Sequence, residues 1–250
     1  IKLAQTDLPE WARVLPLPLG LWASDAIVAV SPGYAGEVLT EEFGCGLQEF
    51  LGVRKETLSG VLNGIDTVSF DPATDKSISV NFNLPTLKRR AENKELLQEK
   101  LGLARNPNAP LLAVISRMDV QKGVDLAFTA LKNMKRIDFQ AVILGTGDPK
   151  LEESARELQT LFPDKIKAEL RFDAALARQI YAGADMILMP SRYEPCGLAQ
   201  MIAMRYGCVP IVRAVGGLKD TVIPKETGFV FEKAHHMSLV SAVKAAMKVL

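Results

Sequence analysis

The chain has 250 residues, and its 30 Lys and Arg residues nearly balance 29 Asp and Glu residues, which gives a formal net charge of +1. This charge offers no electrostatic case for a nucleic-acid partner or an acidic membrane. Hydrophobic residues make up 48% and charged residues 24%, a composition that excludes disordered and fibrous proteins and predicts a buried core. No apolar run approaches the roughly 20 residues that a membrane-spanning helix needs.

The first third of the chain predicts a few short elements. Residues 25–30 and 58–62 are apolar enough to form two strands. Ser31 followed by Pro32 predicts the start of a helix, because Ser caps a helix and Pro fits its first turn. Residues 71–82 are rich in Asp, Ser, Thr and Asn, which predicts a surface connection to the rest of the chain.

From about residue 109 onward, short apolar runs alternate with longer amphipathic ones. The predicted strands cover residues 111–116, 139–145, 165–172, 185–190, 208–213 and 228–231. The predicted helices of this block cover residues 124–134, 150–161, 174–182, 198–206 and 237–250, and a further helix is predicted before it, at residues 87–101. This alternation predicts an α/β fold with a doubly wound, Rossmann-like parallel sheet.

We expect residues 1–24 to be the end of a preceding domain or a linker, and residues 25–250 to form the Rossmann-like domain. The chain begins with Ile1, and its last predicted helix has no capping signal, so we expect a piece of a longer polypeptide. Its three cysteines have neither metal-ligand spacing nor a disulfide pattern, which favours a reducing compartment.

Two cations follow the predicted strand over residues 111–116. In open parallel sheets, ligands bind beyond the carboxyl ends of the strands, so the loops that follow strands are the informative ones. Arg117 and Lys122 lie five residues apart at the start of a predicted helix, where the helix dipole favours anions. A bound diphosphate would explain both cations. A solvated basic loop is the alternative.

Two later loops contain paired glycines. Gly145 and Gly147 form a Gly-x-Gly turn that would let the backbone approach a ligand, but Lys150 stands where a dinucleotide fingerprint requires glycine. A nicotinamide site is therefore disfavoured, and a plain strand-to-helix turn is the alternative. Gly216 and Gly217 follow the strand over residues 208–213 and suit either phosphate contact or a turn.

A carboxylate follows the predicted strand over residues 185–190. Glu194 could accept hydrogen bonds from neutral sugar hydroxyls while helix amides face a leaving phosphate, or it could be an acid at a helix start. Cys196 is a weaker candidate nucleophile, because neither His235 nor His236 lies in a predicted strand-end loop. No second carboxylate accompanies Glu194 at an evident spacing, so a two-carboxylate glycosidase mechanism has little support.

Six segments in order, VSPGYA, NGID, SRMDVQKGVDL, GTGDP, PSRYEPCGL and VGGLKDTV, resemble the nucleotide-sugar-binding half of bacterial glycogen synthases and plant starch synthases. The resemblance implies the C-terminal domain of a GT-B fold, in an enzyme that transfers glucose from ADP-glucose to the nonreducing end of an α-1,4-glucan with retention. It also implies that a Lys-x-Gly-Gly loop and a His, which contact donor and acceptor, belong to an N-terminal domain of which this chain holds at most the end, in residues 1–20. We therefore expect the chain to bind ADP and ADP-glucose without elongating glucan.

The resemblance also implies roles for individual residues. Arg117, Lys122 and Glu194 would be catalytic: the two cations would neutralise the diphosphate, and Glu194 would lie near the glucose 3- and 4-hydroxyls. Phe172 would stack on adenine, with a core phenylalanine as the alternative, and Asn63 would reach the donor sugar. The full predicted donor-binding set is Asn63, Gly145, Gly147, Phe172, Cys196, Gly197, Leu198, Gly216 and Gly217.

No cofactor or metal is expected, because the sequence has no Asp-x-Asp pair to bind a metal between diphosphate oxygens. The expected location is the bacterial cytoplasm or the plastid stroma, with the starch granule as a further option. One alternative is a noncatalytic nucleotide-sugar-binding or glucan-organising module, which intact Arg117, Lys122 and Glu194 argue against. Another is a sucrose or trehalose-phosphate synthase, which PSRYEPCGL and the absence of Glu at positions 201 and 202 disfavour.

Overall fold

A computed structural model describes residues 7–249. Its first part contains two short parallel strands, β1 (Ile27–Ala29) and β2 (Leu58–Gly60), which pair with each other in a two-stranded sheet. The helices of this part are α1 (Pro16–Ala23), α2 (Pro32–Glu37) and α3 (Gln48–Val53). Its own core is formed by Leu8, Ala12, Ile27, Leu47, Phe50 and Leu51.

The larger part is a six-stranded sheet in which every pair of neighbouring strands is parallel. The strands are β3 (Leu111–Ile115), β4 (Gln140–Leu144), β5 (Ile166–Glu169), β6 (Met186–Met189), β7 (Val209–Arg213) and β8 (Phe229–Phe231). They are arranged in the order β5-β4-β3-β6-β7-β8. This is the strand order of a doubly wound Rossmann-like domain.

Helices cover both faces of this sheet. They are α4 (Arg90–Lys100), α5 (Val124–Asn133), α6 (Pro149–Leu161), α7 (Ala174–Gly183), α8 (Ala199–Arg205), α9 (Gly216–Thr221) and α10 (His236–Ala246). Alternate residues of β3 enter two separate core clusters, Leu111 with α4 and α7, and Leu112 with α5, α6 and α10. The sheet is thus buried on both faces, which explains why its strands are continuous apolar runs.

The chain changes direction across the sheet between β3 and β6. Strands β3, β4 and β5 proceed towards one edge, and β6, β7 and β8 proceed towards the other. The loops after β3 and β6 therefore leave the sheet on opposite sides, and a crevice opens between them at the carboxyl ends of the two strands. Residues 116–123 and 190–198 form these two loops.

Two expectations about elements are wrong. Strand β5 ends at Glu169 instead of residue 172. Residues 71–82 are not a simple surface connection, because Asp75, Ile78 and Phe82 are buried against the large domain. The core of the first part also extends across residues 24 and 25, and the domain division placed there remains a prediction.

The buried Asp75 explains how so polar a segment packs inside. Its carboxylate accepts hydrogen bonds from the Tyr206 hydroxyl, from Arg178 Nη1 at 3.0 Å and from the Ser77 amide at 2.8 Å. Burial disfavours the charged carboxylate, but these hydrogen bonds and the charge of Arg178 outweigh burial and lower the pKa of Asp75. The connection is therefore held to α7 and to Tyr206, the residue that follows α8, by an ionised group.

Replacing Asp75 tests this anchor. We expect Asp75→Asn to lower the free energy of unfolding by about 1–3 kcal/mol at pH 7, because a buried charge-assisted hydrogen-bond set is lost. A depressed pKa stabilises the fold above the unfolded value of 3.8 and ceases to do so as the pH falls through the folded value. The difference between the two proteins should therefore shrink below about pH 4.

Guanidinium unfolding at pH 7, 5 and 3 measures this difference. The exposed Asp138 supplies a matched control, and Asp138→Asn should change the free energy of unfolding little at any pH. A wild-type advantage over Asp75→Asn that stays constant down to pH 3 would show that the ionised carboxylate is not what holds the segment.

Candidate functional site

A cavity of about 120 Å³ lies at the crevice between β3 and β6. Its floor consists of the strand ends, and its walls come from the two loops that leave them on opposite sides. The polar and loop residues that line it are Ser116, Lys122, Ser191, Glu194, Gly197 and Leu198. Two of the three predicted catalytic residues therefore meet here.

Lys122 and Glu194 form a close ion pair across the crevice. Lys122 Nζ donates to both carboxylate oxygens of Glu194, at 2.8 and 2.7 Å. Ser191 Oγ donates to the same carboxylate at 3.1 Å. Glu194 is only 6% exposed, and Lys122 and Ser191 supply the hydrogen bonds that a buried carboxylate needs. Lys122, a cation predicted to serve a diphosphate, thus pairs in the structure with the carboxylate that is predicted to bind the sugar.

Short local signals place Lys122. Asp119 caps a 3₁₀ turn over Val120–Lys122 by accepting a hydrogen bond from the Gln121 amide at 2.7 Å. Arg117, the other predicted cation, lies before this turn, and its side chain is 69% exposed with Asp119 at 3.5 Å. Arg117 is therefore free to turn towards a ligand, whereas Lys122 is already held.

Arg192 ties the two loops together and was not predicted. Its amide donates to the Gln121 carbonyl at 2.7 Å, and its guanidinium forms two hydrogen bonds of 2.7 Å with Asp125. Burial disfavours the Asp125 carboxylate, but hydrogen bonding and the charge of Arg192 lower the pKa of Asp125. The loop carrying Glu194 is thus fixed to the helix that follows Lys122. An arginine in a loop is usually solvated, so no sequence pattern predicts this contact.

A second cavity of about 230 Å³ lies beside the first, at the carboxyl ends of β3, β4 and β5. The two cavities share Ile115 and Ser116. Arg117 and Phe172 line the second one, and Phe172 is 88% exposed, which excludes the alternative of a core phenylalanine. Phe172 lies beyond the end of β5 in a loop, so its ring is available to a ligand.

The paired glycines serve contacts between loops in this structure. The amide of Gly216 donates to the Glu37 carboxylate at 2.7 Å, and that of Gly217 donates to the carbonyls of Glu194 and Pro195 at 3.2 and 3.1 Å. A Cβ atom on Gly216 would lie 2.0 Å from the Glu194 carbonyl oxygen. Close packing against the Glu194 loop therefore accounts for Gly216 and Gly217, and their contact with a donor remains a prediction.

Gly145 and Gly147, which form the Gly-x-Gly turn, also donate hydrogen bonds to other parts of the protein. The Gly145 amide donates to the Glu169 carbonyl at 3.1 Å, and the Gly147 amide donates to the Glu152 carboxylate at 3.0 Å. Gly145 also lines the second cavity, whereas Gly147 does not. The role of both glycines towards a donor stays a prediction.

The loop after Glu194 offers amides that have no protein partner. Among residues 7–249, no acceptor receives a hydrogen bond from the amide of Gly197 or Leu198, and both residues line the first cavity. Cys196 is buried outside the cavity lining, and its carbonyl accepts from Gln200 Nε2 at 3.0 Å. Asn63 is exposed in the loop after β2 and lines neither cavity. The structure thus brings Gly197 and Leu198 to the site and leaves Cys196 and Asn63 outside it.

Comparison with known families gives the class of the protein. The family model for glycosyl transferases group 1 matches residues 95–249. The chain belongs to the glycosyl transferases group 1 family. A second model, for the starch synthase catalytic domain, matches residues 2–53 of this glycosyl transferase chain.

Several relatives of this glycosyl transferase are glycogen synthases. That of Thermotoga maritima is 47% identical over 234 residues, which cover 91% of this chain and 48% of the relative. That of Streptococcus sanguinis is 43% identical over 252 residues, which cover 98% of this chain and 52% of the relative. The predicted resemblance is confirmed, and the chain spans about half the length of the curated relatives it matches.

Solved structures confirm the predicted GT-B type of fold. The catalytic domain of starch synthase IV from Arabidopsis thaliana, bound to ADP and acarbose, matches with a TM-score of 0.87 at 38% identity. The match covers 93% of this chain and 50% of that one. A sucrose-phosphate synthase from Thermosynechococcus elongatus matches with a TM-score of 0.66 at 21% identity, which shows the shared fold alone.

The described part of the glycosyl transferase has neither a candidate metal site nor a candidate membrane span. Across residues 7–249, no three His, Cys, Asp or Glu side chains are grouped so that they could hold a metal ion. Within the same range, no helix combines the length and the apolar character needed to cross a bilayer.

The ion pair across the crevice predicts a stability effect. We expect Lys122→Ala to lower the free energy of unfolding by about 1–3 kcal/mol, because it leaves the Glu194 carboxylate buried without its cation. Partial exposure of the Lys122 side chain, at 23%, keeps the loss below that of a fully buried pair. Adding Glu194→Gln to this variant removes the unpaired charge and should restore part of the lost stability.

Guanidinium unfolding of the wild type, the two single variants and the double variant completes a double-mutant cycle. Losses that simply add in the double variant would mean that Lys122 and Glu194 do not stabilise each other.

Proposed function

We propose that this chain is the donor-binding half of a retaining glucosyltransferase that extends an α-1,4-glucan from ADP-glucose. The observation that carries the proposal is the meeting of Lys122 and Glu194 at the crevice between β3 and β6, beside an open apolar cavity with Phe172. The starch synthase IV structure, which holds ADP, supports the choice of nucleotide.

The two cavities suit the two ends of a nucleotide sugar. The base would enter the second cavity, whose lining is mainly apolar, and would stack on the exposed Phe172 ring. The diphosphate would then lie at the boundary of the cavities, within reach of Arg117 and Lys122. The glucose would enter the first cavity, where Glu194 can accept hydrogen bonds from its hydroxyls.

The chemistry would be electrostatic. As the glycosidic bond breaks, negative charge grows on the leaving diphosphate, and Arg117, Lys122 and the unpartnered amides of Gly197 and Leu198 can stabilise it. Donor binding would draw Lys122 from Glu194 towards the phosphate, while Glu194 would gain sugar hydroxyls as new partners. We propose retention by attack on the same face, with the departing phosphate accepting the proton of the attacking hydroxyl.

Because the leaving group would be stabilised by two protein cations, we propose a reaction that requires no cofactor or divalent metal. The glucan acceptor would bind through the remaining half of the polypeptide, since the glycogen synthase relatives are about twice as long as this chain. Relatives from bacteria and the matched plant enzyme suit a compartment that stores glucan, either the bacterial cytoplasm or the plastid stroma.

Calorimetric titration of the chain with ADP, UDP and ADP-glucose tests this proposal. We expect ADP binding, and we expect Arg117→Ala to weaken it by about 1.5–3 kcal/mol through loss of a charge-assisted hydrogen bond. Arg117 is largely exposed, so its removal should leave the free energy of unfolding nearly unchanged. Undiminished ADP affinity in folded Arg117→Ala would contradict the diphosphate assignment.

Phe172 provides a separate test of the base cavity. We expect Phe172→Ala to weaken ADP binding by about 1–3 kcal/mol, as loss of aromatic stacking on a base does elsewhere. Thermal stability should not fall, because the ring is exposed. Val68, which is 85% exposed, supplies the control, and Val68→Ala should bind ADP normally. Normal ADP affinity in Phe172→Ala would show that the base does not bind at Phe172.

A further inference from the structure

Helix α2 and its capping residue hold the loop on both sides of Glu194. Ser31 Oγ donates to the Pro195 carbonyl at 2.5 Å, and the hydroxyls of Tyr34 and Tyr193 share a hydrogen bond of 2.6 Å. Tyr193 and Pro195 are the neighbours of Glu194 in the chain. Residues more than 150 positions earlier thus fix the backbone that presents this carboxylate.

A third contact from α2 reaches the same loop indirectly. Glu37 Oε1 accepts from the Gly216 amide at 2.7 Å, with Lys219 Nζ at 3.4 Å. The next amide, that of Gly217, donates to the Glu194 carbonyl at 3.2 Å. Since there is no room for a side chain between Gly216 and the Glu194 carbonyl, a shift of the glycine pair must shift the Glu194 backbone.

Only one oxygen of the Glu37 carboxylate has partners in the fold, namely the Gly216 amide and Lys219. Its second oxygen, Oε2, is buried and has no hydrogen-bond partner among residues 7–249. A buried, unpartnered carboxylate oxygen costs stability, and an uncharged residue would avoid that cost. What the Glu37 carboxylate provides is the hydrogen bond to the Gly216 amide, which lies one residue from the Gly217 amide that supports Glu194.

We propose that Glu37 is a positioning residue that acts through Glu194 and sets how the site recognises the sugar of the donor. The inference rests on the proposed function, because it assigns Glu194 to the sugar. Glu37 lines neither cavity, so it would touch no part of the donor. Its loss should therefore affect the sugar end of the donor and spare the nucleotide end, which Arg117 and Phe172 hold.

The test compares the affinities of the chain for ADP and for ADP-glucose by calorimetry. We expect Glu37→Ala to weaken ADP-glucose binding about tenfold and ADP binding less than about twofold, on the scale of one hydrogen bond to a charged group. Glu37→Gln keeps an acceptor oxygen for the Gly216 amide and should stay within about threefold of the wild type for both ligands. Glu92, which is exposed on α4, supplies the control Glu92→Ala, with unchanged binding.

A double-mutant cycle shows whether Glu37 acts through Glu194. In a Glu194→Gln background, Glu37→Ala should weaken ADP-glucose binding by less than about twofold, because the carboxylate that it positions is gone. Should Glu37→Ala fail to fold, Tyr34→Phe removes one hydroxyl from the same helix and should weaken ADP-glucose binding about threefold while sparing ADP.

The outcomes separate the two proposals. Equal losses for ADP and ADP-glucose, or a full tenfold loss in the Glu194→Gln background, would overturn the role of Glu37 while leaving donor binding intact. Failure of the unchanged chain to bind either ligand would overturn the proposed function, and with it the role of Glu37.

Discussion

The divergence of the chain between β3 and β6 is the constraint on which the site depends. Adjacent parallel strands whose following loops turn to opposite sides must leave a crevice at their carboxyl ends, because no single loop can fill it. Lys122 comes from one side of this crevice and Glu194 from the other, and their ion pair spans it. The backbone topology therefore creates the space, and two opposite charges from distant parts of the chain define its chemistry.

The surrounding contacts keep both loops in register with each other. Arg192 fastens the Glu194 loop to Asp125 on the β3 side, and the Gly216–Gly217 backbone supports it from the β7 side. A site assembled in this way is preorganised, since the groups that would meet a donor are held before it arrives. Arg117 and Phe172 differ, because both are exposed and can adjust to the ligand.

Much of this arrangement could be predicted from the sequence, but not all of it. The apolar runs located all six strands of the large sheet, since strands buried on both faces must be apolar throughout. They could not show which strands are neighbours, and so they placed Lys122 and Glu194 at strand ends without showing that the two touch. The two residues are 72 positions apart in the chain, and they meet because the strand order places β3 beside β6.

Other contacts could not be predicted, because polar residues in loops are usually solvated and carry no sequence pattern that marks them as buried. The segment around Asp75 has the composition of a surface loop, yet partners on α7 and beyond α8 satisfy its carboxylate inside the fold. Arg192 was overlooked for the same reason. The paired glycines were predicted either to contact a ligand or to form plain turns. Their amides have protein partners in the structure, because small residues also allow two backbones to pack closely, and contact with a donor remains a prediction.

A crystal structure of the chain with ADP bound tests the central claim most directly. The account predicts the adenine ring against Phe172, and the diphosphate within hydrogen-bonding distance of the Arg117 guanidinium and Lys122 Nζ at the crevice between β3 and β6. Nucleotide bound elsewhere on the chain, with Lys122 still closed on Glu194 and both cavities empty, would contradict it.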